Sequence, residues 1–171
     1  MQDLFSVAGK VALVTGGSRG IGEMIAAGFL ANGVKTYISS RKADVCDATA
    51  ARLMDEFGGE CFSIPADCSN LSGIEGLVAA ISERESQLDI LVNNAGASWG
   101  DALDEFPESG WDKVMDVNVK GIFFLTQKCM PLLRASANAE NPARVINIGS
   151  IDGIKTPGFD NFSYGPSKAA V

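Results

Sequence analysis

The sequence contains no histidine among its 171 residues, and this absence excludes whole classes of active site. A Ser-His-Asp hydrolase needs an imidazole as its base, as does much general acid–base catalysis at neutral pH. The four cysteines (Cys46, Cys61, Cys68 and Cys129) form no CxxC pair, so they predict no metal site. We interpret them as buried thiols of a reduced cytoplasm. Any acid or base in this protein must be another residue type.

Positive charge is also scarce, with 14 Lys and Arg against 21 Asp and Glu and a net charge of −7. This balance argues against nucleic acid or an anionic membrane as the main partner. No apolar run approaches the roughly 18 residues that a membrane span needs. The first residues, MQDLFSVAGK, lack the basic and apolar regions of a secretory signal. We therefore expect a cytoplasmic protein with neither a membrane nor a nucleic-acid partner.

Short apolar runs alternate with longer helical patterns along the whole chain. Five runs predict β-strands, at 11–17, 35–41, 60–68, 89–96 and 143–150. A last helix begins near Tyr164, and helical patterns also cover 21–31, 44–57, 72–88 and 111–135. Apolar strands separated by helices are typical of a parallel sheet covered on both faces. We predict an α/β fold in which residues 1–171 form one doubly wound, Rossmann-type dinucleotide-binding domain.

Three prolines refine this prediction. Pro65 lacks an N–H group, which predicts an edge position or a bent end for the third strand. Pro131 falls inside the long helical pattern and predicts a kink there. Pro166 is acceptable only in the first turn of a helix, so the last helix is expected to begin close to Tyr164.

The segment TGGSRGIG (15–22) joins the first strand to the first helix. Its glycines do not fit the G-x-G-x-x-G spacing, but they meet the same physical requirements. One permits a tight turn, the next lets backbone approach a pyrophosphate, and the last lets helix pack on strand. The N–H groups and the positive end of the helix then face the phosphates. The alternative is an ordinary glycine-rich turn. The predicted cofactor residues are Gly16, Ser18, Arg19, Gly20, Ile21 and Gly22.

The end of the second strand indicates which dinucleotide is bound. A carboxylate at this place would bind the ribose 2′-hydroxyl of NAD, whereas an arginine suits the 2′-phosphate of NADP. The sequence ISSRK (38–42) has no carboxylate, and its Arg41 can bind a phosphate through two N–H groups. With Arg19 nearby in the loop, we predict NADP(H). The alternative is that both arginines are solvated surface residues.

Two further strand ends carry polar or small residues. In PADCS the acidic residue follows the third strand, where it can hold an adenine amino group or simply form a turn or helix cap. The amides and small residues of NNAG (93–96) allow close cofactor contact and can tie neighbouring strand ends together. The predicted cofactor contacts at these ends are Asp67, Cys68, Asn94, Ala95 and Gly96.

Tyr164 and Lys168 are four residues apart, so on a helix they share one face. A nearby ammonium and the positive helix end both favour the phenolate. A tyrosine in that setting can exchange a proton with an alcohol or alkoxide near neutral pH. Ser150, which ends the fifth strand, can hold the same oxygen. A Y-x-x-x-K pattern alone arises often by chance.

In this order, TGGSRGIG, NNAG, DVNVKG, INIGS and YGPSK resemble the motifs of the short-chain dehydrogenase/reductase family. The resemblance implies that Tyr164 is the acid/base and that Ser150 orients a substrate carbonyl. Lys168 would assist the tyrosine and bind the nicotinamide ribose, and both would contact the cofactor. Asn118 would hold a water that relays protons through the lysine, although a structural amide is the alternative.

The resemblance also implies an activity. We expect an NADP(H)-dependent reductase that acts on a 3-oxoacyl thioester of acyl carrier protein or coenzyme A. The alternatives are a sugar, polyol or other secondary-alcohol dehydrogenase, or a dinucleotide-binding subunit without turnover. Tyr164 lies fourteen positions after Ser150, one more than is usual in the family, so the loop 151–162 is expected to carry an extra residue.

Family members continue beyond the position of Val171 and commonly form tetramers. We therefore expect this chain to be a fragment that lacks the C-terminal part of the domain. Without that part we expect weak stability, no activity, and an open outer edge on the fifth strand.

Overall fold

The computed structural model describes residues 5–155 and 158–171. Within these residues, five strands form one sheet in the order β3-β2-β1-β4-β5, and all neighbouring strands are parallel. The strands are β1 (Val11–Thr15), β2 (Lys35–Ser39), β3 (Cys61–Ser63), β4 (Ile90–Asn93) and β5 (Arg144–Asn147). The order reverses between β1 and β4, and the crevice outside such a reversal is where open parallel sheets bind ligands.

Six α-helices in the described part of the chain connect or follow the strands. They are α1 (Gly20–Ala31), α2 (Ala43–Phe57), α3 (Leu71–Ser82), α4 (Glu108–Met115), α5 (Ile122–Ser136) and α6 (Tyr164–Ala169). Short 3-10 turns cover Leu103–Glu105 and Ile151–Gly153. Asn70 is the N-cap of α3, and its side-chain oxygen accepts a hydrogen bond from Gly73 N at 2.9 Å, which satisfies one free donor of the first turn.

The core lies in two layers, one on each face of the sheet. On one face, Leu13 and Leu91 pack against apolar residues of α3 and α5. On the other face, Ile38 packs against α1 and α2. Burial of apolar side chains on both faces is what a doubly wound parallel sheet requires. The predicted α/β fold is confirmed.

Each predicted strand extends beyond the observed strand at its carboxyl end. The third strand shows the reason most clearly, because Ile64 N still donates to Ile38 O of β2 at 2.9 Å and Ala66 N to Ser40 O, just after β2, at 3.0 Å. Pro65 between them has no N–H to donate, and the regular ladder ends at Ser63. As predicted, the third strand, which ends just before this proline, lies at an edge of the sheet.

The residues predicted as one long helix, 111–135, are helical throughout, but the helix is not α-helical over its whole length. The chain forms α4 and α5 with a π-helical segment, Asp116–Gly121, between them. The helix α5 continues through Pro131, so the irregularity lies ten or more residues before the proline. Single π-helical turns inside helices often occur at functional sites.

β5 is the other edge of the sheet and, among the described residues, pairs only with β4. All four of its residues are exposed, including Val145 at 42% and Ile146 at 43%. The expected open edge is therefore present. No helix in the described part of the chain is long and apolar enough to cross a membrane.

Candidate active site

A cavity of about 350 Å³ lies at the carboxyl ends of the strands, where the strand order reverses. It is formed by the loop after β1, the end of β2, the chain after β3 and the chain after β4. Predicted cofactor residues that line it are Gly16, Ser18, Arg19, Gly20, Ile21, Arg41, Asp67, Cys68, Asn94, Ala95 and Gly96. Five other lining residues, Ser39, Ser40, Ala66, Ala97 and Val117, are not among the predicted cofactor contacts. Four segments far apart in the chain thus meet at one cleft.

Glycines give this cleft its shape. A Cβ atom on Gly22 would lie 2.3 Å from Gly16 O, so a side chain at this position would not fit between α1 and the loop that precedes it. Gly20 has a φ of +57°, which favours glycine, and a Cβ atom there would meet nothing within 4 Å. The backbone at the start of α1 is therefore open toward the cavity, as a pyrophosphate-binding loop requires.

Two arginines at the cavity carry unpaired positive charge. Arg19 and Arg41 both line it, both are exposed, and neither forms an ion pair with a carboxylate of the described residues. The end of β2 also brings Ser39 and Ser40 to the cavity and no carboxylate. These groups suit a dinucleotide with a ribose 2′-phosphate.

Asp67 has a turn-forming role in this structure. Its Oδ1 accepts a hydrogen bond from Ser69 N at 3.0 Å, and Asn70, not Asp67, caps α3. Contact between Asp67 and an adenine remains a prediction. The next residue, Cys68, is partly buried, and burial, aided by the Asp67 carboxylate, raises the pKa of its thiol to about 11. A thiol in that state is a poor nucleophile at neutral pH.

Hydrogen bonds join the end of β4 to the end of β1, as NNAG predicted. Asn94 Nδ2 donates to Thr15 O at 2.9 Å and to Gly16 O at 3.3 Å. The hydroxyl of Thr15 in turn accepts from Asn94 N and Ala95 N, both at 3.0 Å. Both strand ends at the topological switch are therefore fixed relative to each other.

The helix α6 carries Tyr164 and Lys168 on successive turns, and Pro166 lies in its first turn as predicted. Lys168 Nζ is 5.9 Å from the centre of the Tyr164 ring and donates to Ile148 O at 2.7 Å. The residue is 9% exposed, and no carboxylate of the described chain lies within 4.0 Å. Burial therefore lowers the pKa of Lys168 below its ordinary value.

The cofactor cavity and this lysine are neighbours. A Cβ atom on Gly96, which lines the cavity, would lie 3.9 Å from Lys168 Nζ and 3.5 Å from Asn118 Oδ1. Asn118 lies in the π-helical segment and is fully buried. Its amide donates to Ala97 O at 2.9 Å and accepts from Ala97 N at 2.8 Å.

Ser167 is a residue that the sequence analysis missed. It is fully buried, and its hydroxyl accepts from Asn118 Nδ2 at 2.9 Å and donates to Tyr164 O at 2.7 Å. Asn118 therefore connects α6 to the chain after β4, which supports the structural reading of its side chain. The only sequence signal was the position of Ser167 directly before Lys168.

Ser150 follows β5 and precedes the 3-10 turn Ile151–Gly153. Its hydroxyl accepts a hydrogen bond from Asp152 N at 3.2 Å. Ser150, Tyr164, Lys168, Asn118 and Gly22 do not line the cofactor cavity itself. Within the loop 151–162, Thr156 and Pro157 lie outside the described residues.

Comparison with known proteins gives a consistent result. A family profile described as short chain dehydrogenase matches residues 10–171. The rhamnolipids biosynthesis 3-oxoacyl-[acyl-carrier-protein] reductase of Pseudomonas aeruginosa is 55% identical over 171 residues. That match covers 100% of this chain and 66% of the relative, so the chain spans about two thirds of the relative's length.

Solved structures show the same likeness. The Pseudomonas aeruginosa RhlG/NADP active-site complex matches with a TM-score of 0.94 at 55% identity, over 99% of this chain and 66% of that one. L-Sorbose reductase from Gluconobacter frateurii, complexed with NADPH and L-sorbose, matches with a TM-score of 0.88 at 28% identity. This second match covers 96% of this chain and 61% of that chain.

Proposed function

The chain belongs to the short-chain dehydrogenase family, and from this we propose that it is the dinucleotide-binding part of an NADP(H)-dependent carbonyl reductase. The reaction is hydride transfer to a 3-oxoacyl thioester, carried by acyl carrier protein or coenzyme A, which yields the 3-hydroxyacyl product. The name of the Pseudomonas aeruginosa relative, at 55% identity, supports this substrate class.

One observation carries the proposal: the cavity at the strand ends collects the glycine loop, two unpaired arginines and the chain after β4. In this proposal the loop amides around Gly20 hold the pyrophosphate and Arg19 and Arg41 hold the 2′-phosphate. The NADP complex of RhlG supports this choice of cofactor. When bound, the nicotinamide supplies the hydride.

The residues of α6 supply the proton in this proposal. The Tyr164 hydroxyl donates it to the oxygen of the reduced carbonyl, and the Ser150 hydroxyl holds that oxygen by a hydrogen bond. The ammonium of Lys168, buried beside the tyrosine ring, stabilises the phenolate that remains. Asn118 and Ser167 keep α6 against the chain after β4.

Oxidation of NADPH, followed by absorbance with a series of 3-oxoacyl thioesters and a panel of ketoses and simple ketones, tests the substrate class. We expect the thioesters to be preferred. A preference for ketoses would overturn the substrate class and support the alternative, a sugar or polyol dehydrogenase. The likeness to L-sorbose reductase is the observation in favour of that alternative.

The variant Tyr164→Phe separates catalysis from cofactor binding. We expect turnover to fall by about 10³-fold or more, because the phenol is the only proton donor assigned to the reacting oxygen. NADPH affinity, measured by nicotinamide fluorescence, should stay within about twofold of the wild type. Turnover that survives would overturn the assignment of Tyr164. A wild-type protein that binds NADPH and turns over none of the substrates is the result expected of a non-catalytic subunit.

We also propose that the protein is a cytoplasmic homotetramer. Phe123 on α5 is 62% exposed, and such an apolar side chain on a helix face suits contact with a second subunit. Light scattering after gel filtration gives the subunit number, and a monomer at micromolar concentration would contradict the proposal.

A further inference from the structure

Helix α2 contacts the glycine loop through a side chain that lies outside the cavity. Thr49 is 7% exposed, and its hydroxyl donates to Ser18 O at 3.1 Å. Ser18 is also buried, and it directly precedes Arg19, which caps α1 with an extended backbone. The position of Arg19 at the cavity therefore depends in part on a hydrogen bond from another helix.

The same helix also determines where the second arginine lies. Arg41 is two residues before Ala43, the first residue of α2, and Thr49 follows two turns later. The helix α2 therefore begins just after Arg41 and contacts Ser18 O through Thr49 near its middle. The loop that carries Arg19 and the chain that carries Arg41 are thereby joined through one helix.

A second polar contact of α2 is made with helix α1 and is exposed to solvent. Arg52, one turn after Thr49, forms an ion pair with Glu23 in the first turn of α1 and bonds Glu56 at 3.2 Å. Its side chain is half exposed, and exposed ion pairs of this kind contribute little to stability. The buried hydroxyl of Thr49 is therefore the more important of the two contacts.

We infer that Thr49 is a specificity-determining positioning residue, which acts through the Ser18 carbonyl to hold Arg19 and Arg41 at the separation that a ribose 2′-phosphate requires. This inference rests on the proposed NADP(H) cofactor. A ligand such as NADH lacks the 2′-phosphate and does not contact both arginines at once. Loss of the Thr49 hydroxyl therefore changes its binding affinity much less. Because both arginines are positioned before the cofactor binds, the protein binds NADPH more tightly than NADH.

The test is cofactor titration by fluorescence on this chain, which needs no turnover. Thr49→Val keeps the shape of the side chain and removes the hydroxyl. We expect its Kd for NADPH to rise about tenfold, the equivalent of roughly 1.4 kcal/mol, and its Kd for NADH to change by less than about twofold. Thr49→Ser keeps the hydroxyl and should retain the wild-type ratio. The fragments adenosine 2′,5′-bisphosphate and adenosine 5′-monophosphate should repeat the pattern.

A matched control is Arg52→Gln, which breaks the exposed link between the helices and leaves Thr49 intact. We expect it to keep the wild-type ratio of the two Kd values. If Thr49→Val weakens both nucleotides equally, or neither, the inference is wrong while the cofactor assignment stands. A wild-type chain that binds NADPH no more tightly than NADH would overturn the proposed cofactor and this inference together.

Discussion

β1 and β5 are both strands of one parallel sheet, yet their surroundings differ completely. Every residue of β1 is buried, whereas every residue of β5 is exposed. β1 has a partner strand on each side and helices on both faces, while β5 pairs only with β4 among the described residues. The half of the sheet that forms the proposed cofactor cavity is therefore stabilised by apolar burial.

The half that positions the proposed catalytic groups depends on directed polar contacts. Asn93 Nδ2 donates to Asn147 Oδ1 at 2.9 Å across β4 and β5, and Lys168 Nζ donates to Ile148 O at 2.7 Å. Asn118 and Ser167 add the bond between the π-helical segment and α6. Apolar burial stabilises the fold more than single hydrogen bonds do, so the two halves should respond differently to substitution.

The largest expected effect is on the free energy of unfolding, for which we compare one valine in each of the two regions. Val14 on β1 is fully buried and Val145 on β5 is 42% exposed. Val14→Ala removes two buried methyl groups and leaves a cavity, and we expect the free energy of unfolding to fall by about 2–3 kcal/mol. Val145→Ala should cost less than about 1 kcal/mol, since much of its side chain is already in water.

Urea denaturation followed by circular dichroism measures both variants. Equal losses for the two valines would show that β5 is as well covered as β1, and would contradict the comparison. A chain without a cooperative transition, in contrast, would agree with the expectation of weak stability made from the sequence.

The buried half of the sheet is also the half that the sequence predicts best. Runs such as VALVTGG are apolar because both faces of the strand are covered, so composition alone identifies the strand. The predicted strands run too far because their last residues form the loops that line the cavity, for example Ser40 and Arg41 after β2. A hydrophobic pattern does not show where a ladder of hydrogen bonds ends.

The polar half was less predictable, for a physical reason. The π-helical segment has the composition of ordinary helix, and its contacts are long-range: Asn118 bonds Ala97, and a Cβ atom on Gly121 would lie 2.3 Å from Cys68 O. Ser167 and Thr49 are likewise defined by partners 49 and 31 residues away. Short motifs place residues on an element but do not show such contacts.

The second expected effect concerns two serines that are equally buried. Ser167 and Ser163 are both fully buried, but Ser167 makes two hydrogen bonds, whereas the hydroxyl of Ser163 has no partner among the described residues. Ser167→Ala should lower the free energy of unfolding by about 1–2 kcal/mol because Asn118 and Tyr164 lose a partner. Ser163→Ala should be neutral or slightly stabilising, since it removes a buried polar group that gains no bond.

Chemical denaturation compares the pair, and amide exchange of α6 adds a local measurement. Faster exchange in α6 for the Ser167 variant alone would support a polar anchor for the helix. An equal loss for both alanines would mean that packing, and not hydrogen bonding, holds α6 in place.

The smallest expected effect is a dependence on pH. Burial lowers the pKa of Lys168 below its ordinary value of 10.5, so at pH values between the two the unfolded chain binds more protons than the folded one. The lysine is therefore unfavourable to stability at neutral pH, and this penalty is relieved as the pH rises toward 10.5.

Lys168→Met keeps a long side chain and removes the titration. The difference in free energy of unfolding, wild type minus variant, should increase as the pH is raised from 7 toward 10. Burial raises the pKa of the Cys129 thiol to about 12, so this thiol lowers the free energy of unfolding as the pH rises over the same range. Its effect is equal in wild type and variant and therefore cancels in the difference. A flat difference would mean that the ammonium is as well solvated when folded as when unfolded. The polar contacts around α6 would then surround no buried charge. In this respect the surroundings of α6 would no longer differ from the apolar surroundings of β1.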